Sequence, residues 1–227
     1  MGETNAKQYQ AFLCCAGLLL VGLSSGCSST AIAPRLSLLE GDTTYSDADW
    51  ACVLQTYVHD ALVDYDGLAR DRDALDRYYA LLSRTGPSLT PNQFVTRSET
   101  VAYWINAYNA LVLVAVLQKY PVATMYDLSL PQLQYDYTFR VDGAVRTLAD
   151  IQRCMLRDAY GDARTLLALH GAAMGTPRLA DRPYRAETLE DQLAQAAAAA
   201  MENSDLLRID HETQSILLWQ VILRHED

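Results

Sequence analysis

Residues 103–111, Tyr103-Trp104-Ile105-Asn106-Ala107-Tyr108-Asn109-Ala110-Leu111, lie inside an apolar stretch that runs from about residue 98 to 120 and is halted by Pro121. Proline disfavours helical backbone in the residue before it, so the stretch predicts one long helix ending at 120. From Val101 to Leu117 the composition is apolar enough to raise the reading of a membrane span. Asn106, Asn109 and the interspersed tyrosines argue against it, because an amide in lipid has no water to bond. The stretch therefore reads as a helix buried in a protein core. Asn106 and Asn109, three residues apart, share one helical face. There they either satisfy buried polar atoms or orient a catalytic group, and the first is the commoner use of such amides.

Working outward, Ser46 followed by Asp47 and Asp49 marks a helix start with acidic groups in its first turn. Trp50, Leu54, Tyr57, Val58 and Leu62 recur at helical spacing, as do Leu75, Tyr78, Tyr79 and Leu82 within a second helix over 70–82. Gly86-Pro87 breaks the chain. Beyond the central helix, 137–141 and 144–148 flank Asp142-Gly143, a dipeptide suited to a two-residue hairpin turn. A helix over 150–157, a buried strand over 164–170, a small-residue loop over 171–177 and an alanine-rich helix over 187–203 follow. A closing hairpin of 206–209 and 215–219 completes the set. The fold class expected is α+β, a single compact domain with several helices around a small, mostly antiparallel sheet and the long helix at its centre.

The 227 residues are half hydrophobic and one-fifth charged, with a net charge of -10, which is globular rather than disordered composition. One core fits this length and two full domains do not. The negative balance lacks the basic footprint that nucleic acid requires, so no nucleic-acid partner is expected. The extreme N-terminus is an address. Residues 11–23 form an apolar run of about 13 residues, signal-peptide length and too short to span a bilayer. Ser24, Ser25 and Gly26 then lead to Cys27. Small residues ending in a cysteine resemble the lipobox of bacterial lipoproteins, whose thiol is acylated and becomes the mature N-terminus. Ser24 stands where leucine is usual, and Lys7 is offset by Glu3. A plain secretory leader and an uncleaved anchor are the other readings. On the lipoprotein reading residues 1–26 are the signal peptide, 27–45 a flexible tether rich in Ser, Thr, Pro and Gly, and 46–227 the domain. Several acyl chains would give firm anchoring, palmitate among them. Ser28 in place of aspartate implies, by analogy with enteric sorting, the outer membrane of a Gram-negative cell envelope.

The string at 103–111 is similar to the signature of the bacterial and plant family called domain of unknown function 547. Val63-Asp64-Tyr65 adds to the resemblance, as does Thr147-Leu148-Ala149-Asp150-Ile151 running to Leu156-Arg157. So does Asp162-Ala163-Arg164 followed by an apolar stretch, Pro177 and Tyr184. The resemblance extends from about Trp50 to Met201. It implies a glutamate in the helix after the hairpin, a His-Phe pair further on and two loop cysteines, a set suited to thiolate chemistry with an imidazole base. This chain holds Gln152, Leu166 and Leu167, Gly171 and Thr176 at those positions. The framework is kept and the ionisable groups are replaced.

Among substitutes, Thr176 and His170 flank the same loop, and a threonine hydroxyl becomes a nucleophile when a base activates it; an ordinary loop threonine and core histidine are the commoner finding. Trp104, Asn106, Asn109, Arg157 and Arg164 are the expected framework of the cleft. Either arginine could clamp a carboxylate, and a salt bridge to Asp150 or Asp162 is the plainer use. Cys52 and Cys154 either pair as a disulfide in an oxidising periplasm or are two small buried hydrophobes, with a reactive thiol as a third reading. His59, His170, His211 and His225 are scattered without ligand spacing, the acidic pairs Asp64/Asp66 and Asp71/Asp73 read as turn and helix-start residues, and no glycine-rich phosphate loop follows a strand. No metal or cofactor is implied. The expectation is an envelope-anchored, non-catalytic module that binds an unknown envelope protein or small ligand, with a thiol- or hydroxyl-dependent hydrolase or transferase and a purely structural envelope component as competitors.

Overall fold

The computed structural model describes residues 29–36, 44–121, 131–158, 160–173, 175–203, 207–210 and 215–218, with the backbone alone at 154, 155, 157, 158 and in the last two segments. In chain order the elements are β1 (Thr30–Ile32), α1 (Ala48–Tyr57), β2 (Val58–His59), β3 (Leu62–Val63), α2 (Tyr65–Arg70), α3 (Asp73–Leu82) and α4 (Arg97–Lys119). Then come β4 (Tyr137–Val141), β5 (Ala144–Arg146), α5 (Leu148–Asp150), α6 (Arg164–Leu167), α7 (Leu189–Glu202), β6 (Leu207–Asp210) and β7 (Ser215–Leu218).

The architecture is α+β, arranged around α4. Every residue from Val101 to Leu117 is buried, on all sides of the helix. By length and composition α4 could cross a membrane, yet it is enclosed by its own domain. Its start is fixed by a capping box. The Thr96 side chain accepts from Glu99 N–H and the Glu99 carboxylate accepts from Thr96 N–H. On one side α1 and α3 pack together, with Trp50 stacked on Tyr78 at 5.8 Å between ring centroids. The Tyr103 hydroxyl of α4 donates to the Thr85 carbonyl just past α3 (2.8 Å).

On another side lies a three-stranded sheet in the order β1-β4-β5. β4 and β5 are antiparallel, and their turn residues Asp142 (φ 50°) and Gly143 (φ 72°) both take the left-handed backbone that a two-residue hairpin requires. Asp142 is buried, and its carboxylate accepts from Ser88 N–H (2.9 Å) and Leu89 N–H (2.9 Å). Gly86 must stay without a side chain here, since a Cβ would come within 2.6 Å of that carboxylate. The helix after the hairpin opens on a second capping box, Thr147 with Asp150, and continues as a wide helical turn over Ile151–Asp158.

Three expectations are corrected. The flexible tether is shorter than its composition suggests. Thr30–Ile32 pairs in parallel with Tyr137–Phe139, Ile32 is buried, and its carbonyl accepts from the Tyr79 hydroxyl. Tyr45, the last tether residue, sits 5.1 Å from the Phe94 ring and 5.4 Å from Tyr103, so ordered structure reaches into the span expected to be loose. The first helix stops at Tyr57. Val58 and Leu62 belong to a small hairpin whose turn residues Asp60 and Ala61 have positive φ, and Asp64 then caps α2 by accepting from Gly67 N–H (2.9 Å). Finally, the expected strand at 164–170 is the short helix α6 followed by a turn. Arg164 N–H bonds the Asp162 carboxylate, and Thr165 and Leu166 N–H reach back to the carbonyls of Asp162 and Ala163. These local bonds start a helix before a strand partner can be found.

The helix that the sequence predicts over 150–157 is the wide helix Ile151–Asp158, and the hairpins predicted over 137–148 and 206–219 pair as β4 with β5 and β6 with β7.

Candidate functional site

The site grows from the two amides of α4. Asn109 Nδ2 donates to the Ala168 carbonyl (3.0 Å), and its Oδ1 accepts from His170 N–H (2.8 Å). One side chain thus satisfies both backbone groups that an adjacent strand would otherwise pair. Three residues earlier, one turn back, Asn106 Nδ2 donates to the Tyr184 carbonyl (2.8 Å) and its Oδ1 accepts from Tyr184 N–H (2.9 Å). Both amides are buried, with the nitrogen and the oxygen of each hydrogen-bonded. Gln192 of α7 holds the same outer segment from its other side. It donates to the Pro183 carbonyl and accepts from Arg185 N–H (2.9 and 3.0 Å). Nothing in the alanine-rich helix marked Gln192 for this task; only its tertiary neighbours reveal it.

Within the loop so fixed, Thr176 is buried, its hydroxyl donating to the Ala173 carbonyl (2.6 Å) and accepting from Gly171 N–H (3.2 Å). The two positions where the family resemblance implies cysteines therefore touch each other. His170 is buried as well. Its Nδ1 lies 3.2 Å from the Pro177 carbonyl, which can only accept, so Nδ1 carries the proton. Nε2 is then a bare lone pair, and among the described residues it has no hydrogen-bond partner. Burial lowers the imidazole pKa to about 4, with the Pro177 carbonyl opposing weakly, so the ring is neutral near pH 7. No hydrogen bond joins His170 to Thr176.

The remaining family-like positions are packed. Leu166 belongs to the hydrophobic core and Leu167 is half-buried. Gln152 is buried and its Oε1 accepts from Gln134 Nε2 (3.1 Å). Trp104 is buried edge-to-face with Tyr103 at 4.9 Å, and the Arg146 guanidinium lies over its ring at 5.6 Å, a neighbour the sequence did not suggest. Arg164 forks onto the Asp162 carboxylate (3.1 and 2.8 Å) and reaches Glu190 (2.8 Å). These partners raise its pKa further, and the Arg164 hydrogen bonds pull that of Asp162 down. Arg164 is thus engaged in a surface ion pair rather than poised over a ligand.

Cys52 is a free, exposed thiol on α1, which corrects both the disulfide reading and the buried-hydrophobe reading of it. Cys27 and the side chains of Cys154 and Arg157 lie outside the described residues. Among the described residues no three His, Cys, Asp or Glu side chains are grouped to hold a metal ion.

As chemistry, the arrangement positions backbone and, among the described residues, leaves the buried acceptor His170 Nε2 without a donor. Among the described residues no base is bonded to Thr176, whose hydroxyl proton is directed at the Ala173 carbonyl. No curated protein and no solved structure matches this chain. Residues 92–199, which include the string at 103–111, the Thr147 box, 162–177 and Tyr184 but begin beyond Val63-Asp64-Tyr65, match the family model described as "Protein of unknown function, DUF547".

Proposed function

We propose that this chain is an envelope-anchored, non-catalytic binding module, held to the outer membrane by lipid at Cys27, with its ligand or partner protein engaged near the loop pinned by Asn106 and Asn109. The observation that carries the non-catalytic reading is the state of the Thr176 hydroxyl. It is committed to the Ala173 carbonyl at 2.6 Å, and among the described residues no imidazole or carboxylate is bonded to it. Leu166 in the core and Gln152 paired with Gln134 leave the positions of the implied base and acid without proton-transfer capacity. Binding is supported by His170 Nε2, which has no donor among the described residues. A buried acceptor left without a donor costs roughly 1–3 kcal/mol, a cost that a bound donor group removes. The ligand class this favours carries an N–H or O–H group.

Incubating the native protein near neutral pH with a hydroxyl-directed fluorophosphonate and with iodoacetamide tests the first part. The expected result is no adduct on Thr176 and only slow, exposure-limited alkylation of Cys52. A stoichiometric adduct on Thr176 would overturn the reading. For the second part, histidine-labelled protein is titrated with envelope extract fractions while the His170 Nε2 resonance is followed. A saturable shift is expected, and its absence across all fractions removes the ligand claim. Palmitate incorporation that persists in Cys27→Ser would end the claim of acylation at that residue.

A further inference from the structure

We infer that the Thr30 end of the sheet, together with Tyr135, rests on the membrane surface, so that the domain stands end-on against the bilayer rather than hanging on a long leash. The inference rests on the reading that Cys27 is acylated. Only Ser28 and Ser29 separate Cys27 from β1. Three peptide units reach at most about 11 Å, so an acylated Cys27 holds the first strand of the sheet within about that distance of the headgroups.

The register then orients the domain. β1 runs parallel to β4 with Thr30 beside Tyr137, so the start of β4 shares the end of the sheet to which the leash is tied. The helical turn Gln132–Asp136 immediately precedes that end, and Tyr135 projects from it 47% exposed. A tyrosine, apolar in body and polar at its tip, suits the headgroup layer. The opposite end is the Asp142-Gly143 turn, about 13 Å further along β4. Leu89 covers that turn, where a Cβ on Gly143 would meet its side chain at 2.9 Å, and is also 47% exposed. Both ends thus carry an accessible position, and only one is tied to the lipid. With a net charge of -10 the chain gains no general attraction to anionic headgroups, so the short leash and Tyr135 determine the orientation.

The test uses the mature acylated protein in liposomes containing acceptor-labelled headgroups, with a clickable phenylalanine analogue carrying the donor dye in place of Tyr135 or Leu89. Energy transfer from the first position is expected to exceed that from the second at least twofold. Inserting twelve Gly/Ser residues between Ser29 and Thr30 should lower the transfer from position 135 and bring the two positions together. Equal transfer from both positions in the unextended protein overturns the end-on placement, as does a difference that survives the insertion unchanged. The mass of the N-terminal peptide is measured on the same samples. Acyl mass on Cys27 with equal transfer sinks this inference alone, whereas absence of acyl mass sinks the anchoring from which it starts.

Discussion

Replacing Asn109 by alanine removes two buried hydrogen bonds at once and leaves the Ala168 carbonyl and His170 N–H facing the core without partners. Each orphaned group costs roughly 1–3 kcal/mol, so the substitution should destabilise the domain by about 4 kcal/mol, a large part of a typical total of roughly 5–15 kcal/mol. With a urea dependence of about 2 kcal/mol per molar, the unfolding midpoint should fall by about 2 M, followed by tryptophan fluorescence. Asn109→Asp refines the argument. A carboxylate still accepts from His170 N–H but sets negative charge against the Ala168 carbonyl. Burial and that carbonyl raise the pKa of the introduced carboxyl above its ordinary value of about 3.9. A raised folded-state pKa means that the folded variant binds the proton more tightly than the unfolded chain does. The penalty relative to the parent is therefore full above the raised pKa, shrinks as pH falls through it, and is smallest below about 3.9, where the protonated acid can donate to Ala168. Comparing the two proteins at each pH cancels their shared titrations. A midpoint loss under 0.5 M in Asn109→Ala (~1 kcal/mol), or a penalty in Asn109→Asp that is flat from pH 7 to pH 4, would refute the clamp.

The other predictions follow from neighbouring contacts. His170 is buried neutral, with its pKa lowered from 6.5 to about 4, so its contribution is fully present above pH 6.5 and lost as pH falls toward 4. This amounts to about 3 kcal/mol that His170→Gln should not lose over the same range, and an identical pH dependence in both proteins would show the ring to be hydrated. Asp142→Ala should cost about 2–4 kcal/mol by freeing Ser88 and Leu89 N–H, while Asp142→Asn, which keeps an acceptor and tolerates positive φ, should cost less than half as much in chemical denaturation. Leu166→Ala should cost about 2–4 kcal/mol as a core truncation, and an unchanged midpoint would mean that Leu166 is not packed in the core.

Local physics made much of this protein readable in advance. The run from 98 to 120 predicts a buried helix because its apolar residues leave no polar face, and Asp142-Gly143 predicts its hairpin because few dipeptides tolerate two successive left-handed residues. Tertiary structure decided the rest. Thr30–Ile32 looks like tether because three residues carry almost no periodicity, and it becomes a strand only because β4 offers a free edge and the Tyr79 hydroxyl a bond. The stretch at 164–170 has a strand's composition, but Asp162 starts a helix locally and Asn109, 59 residues before Ala168, takes the backbone bonds that a sheet would have used. The use made of Asn106 was equally hidden, since its partner Tyr184 lies 78 residues away. An amide side chain carries the same donor and acceptor as a peptide group, so sequence can show that it must be satisfied, while only the folded chain determines by whom.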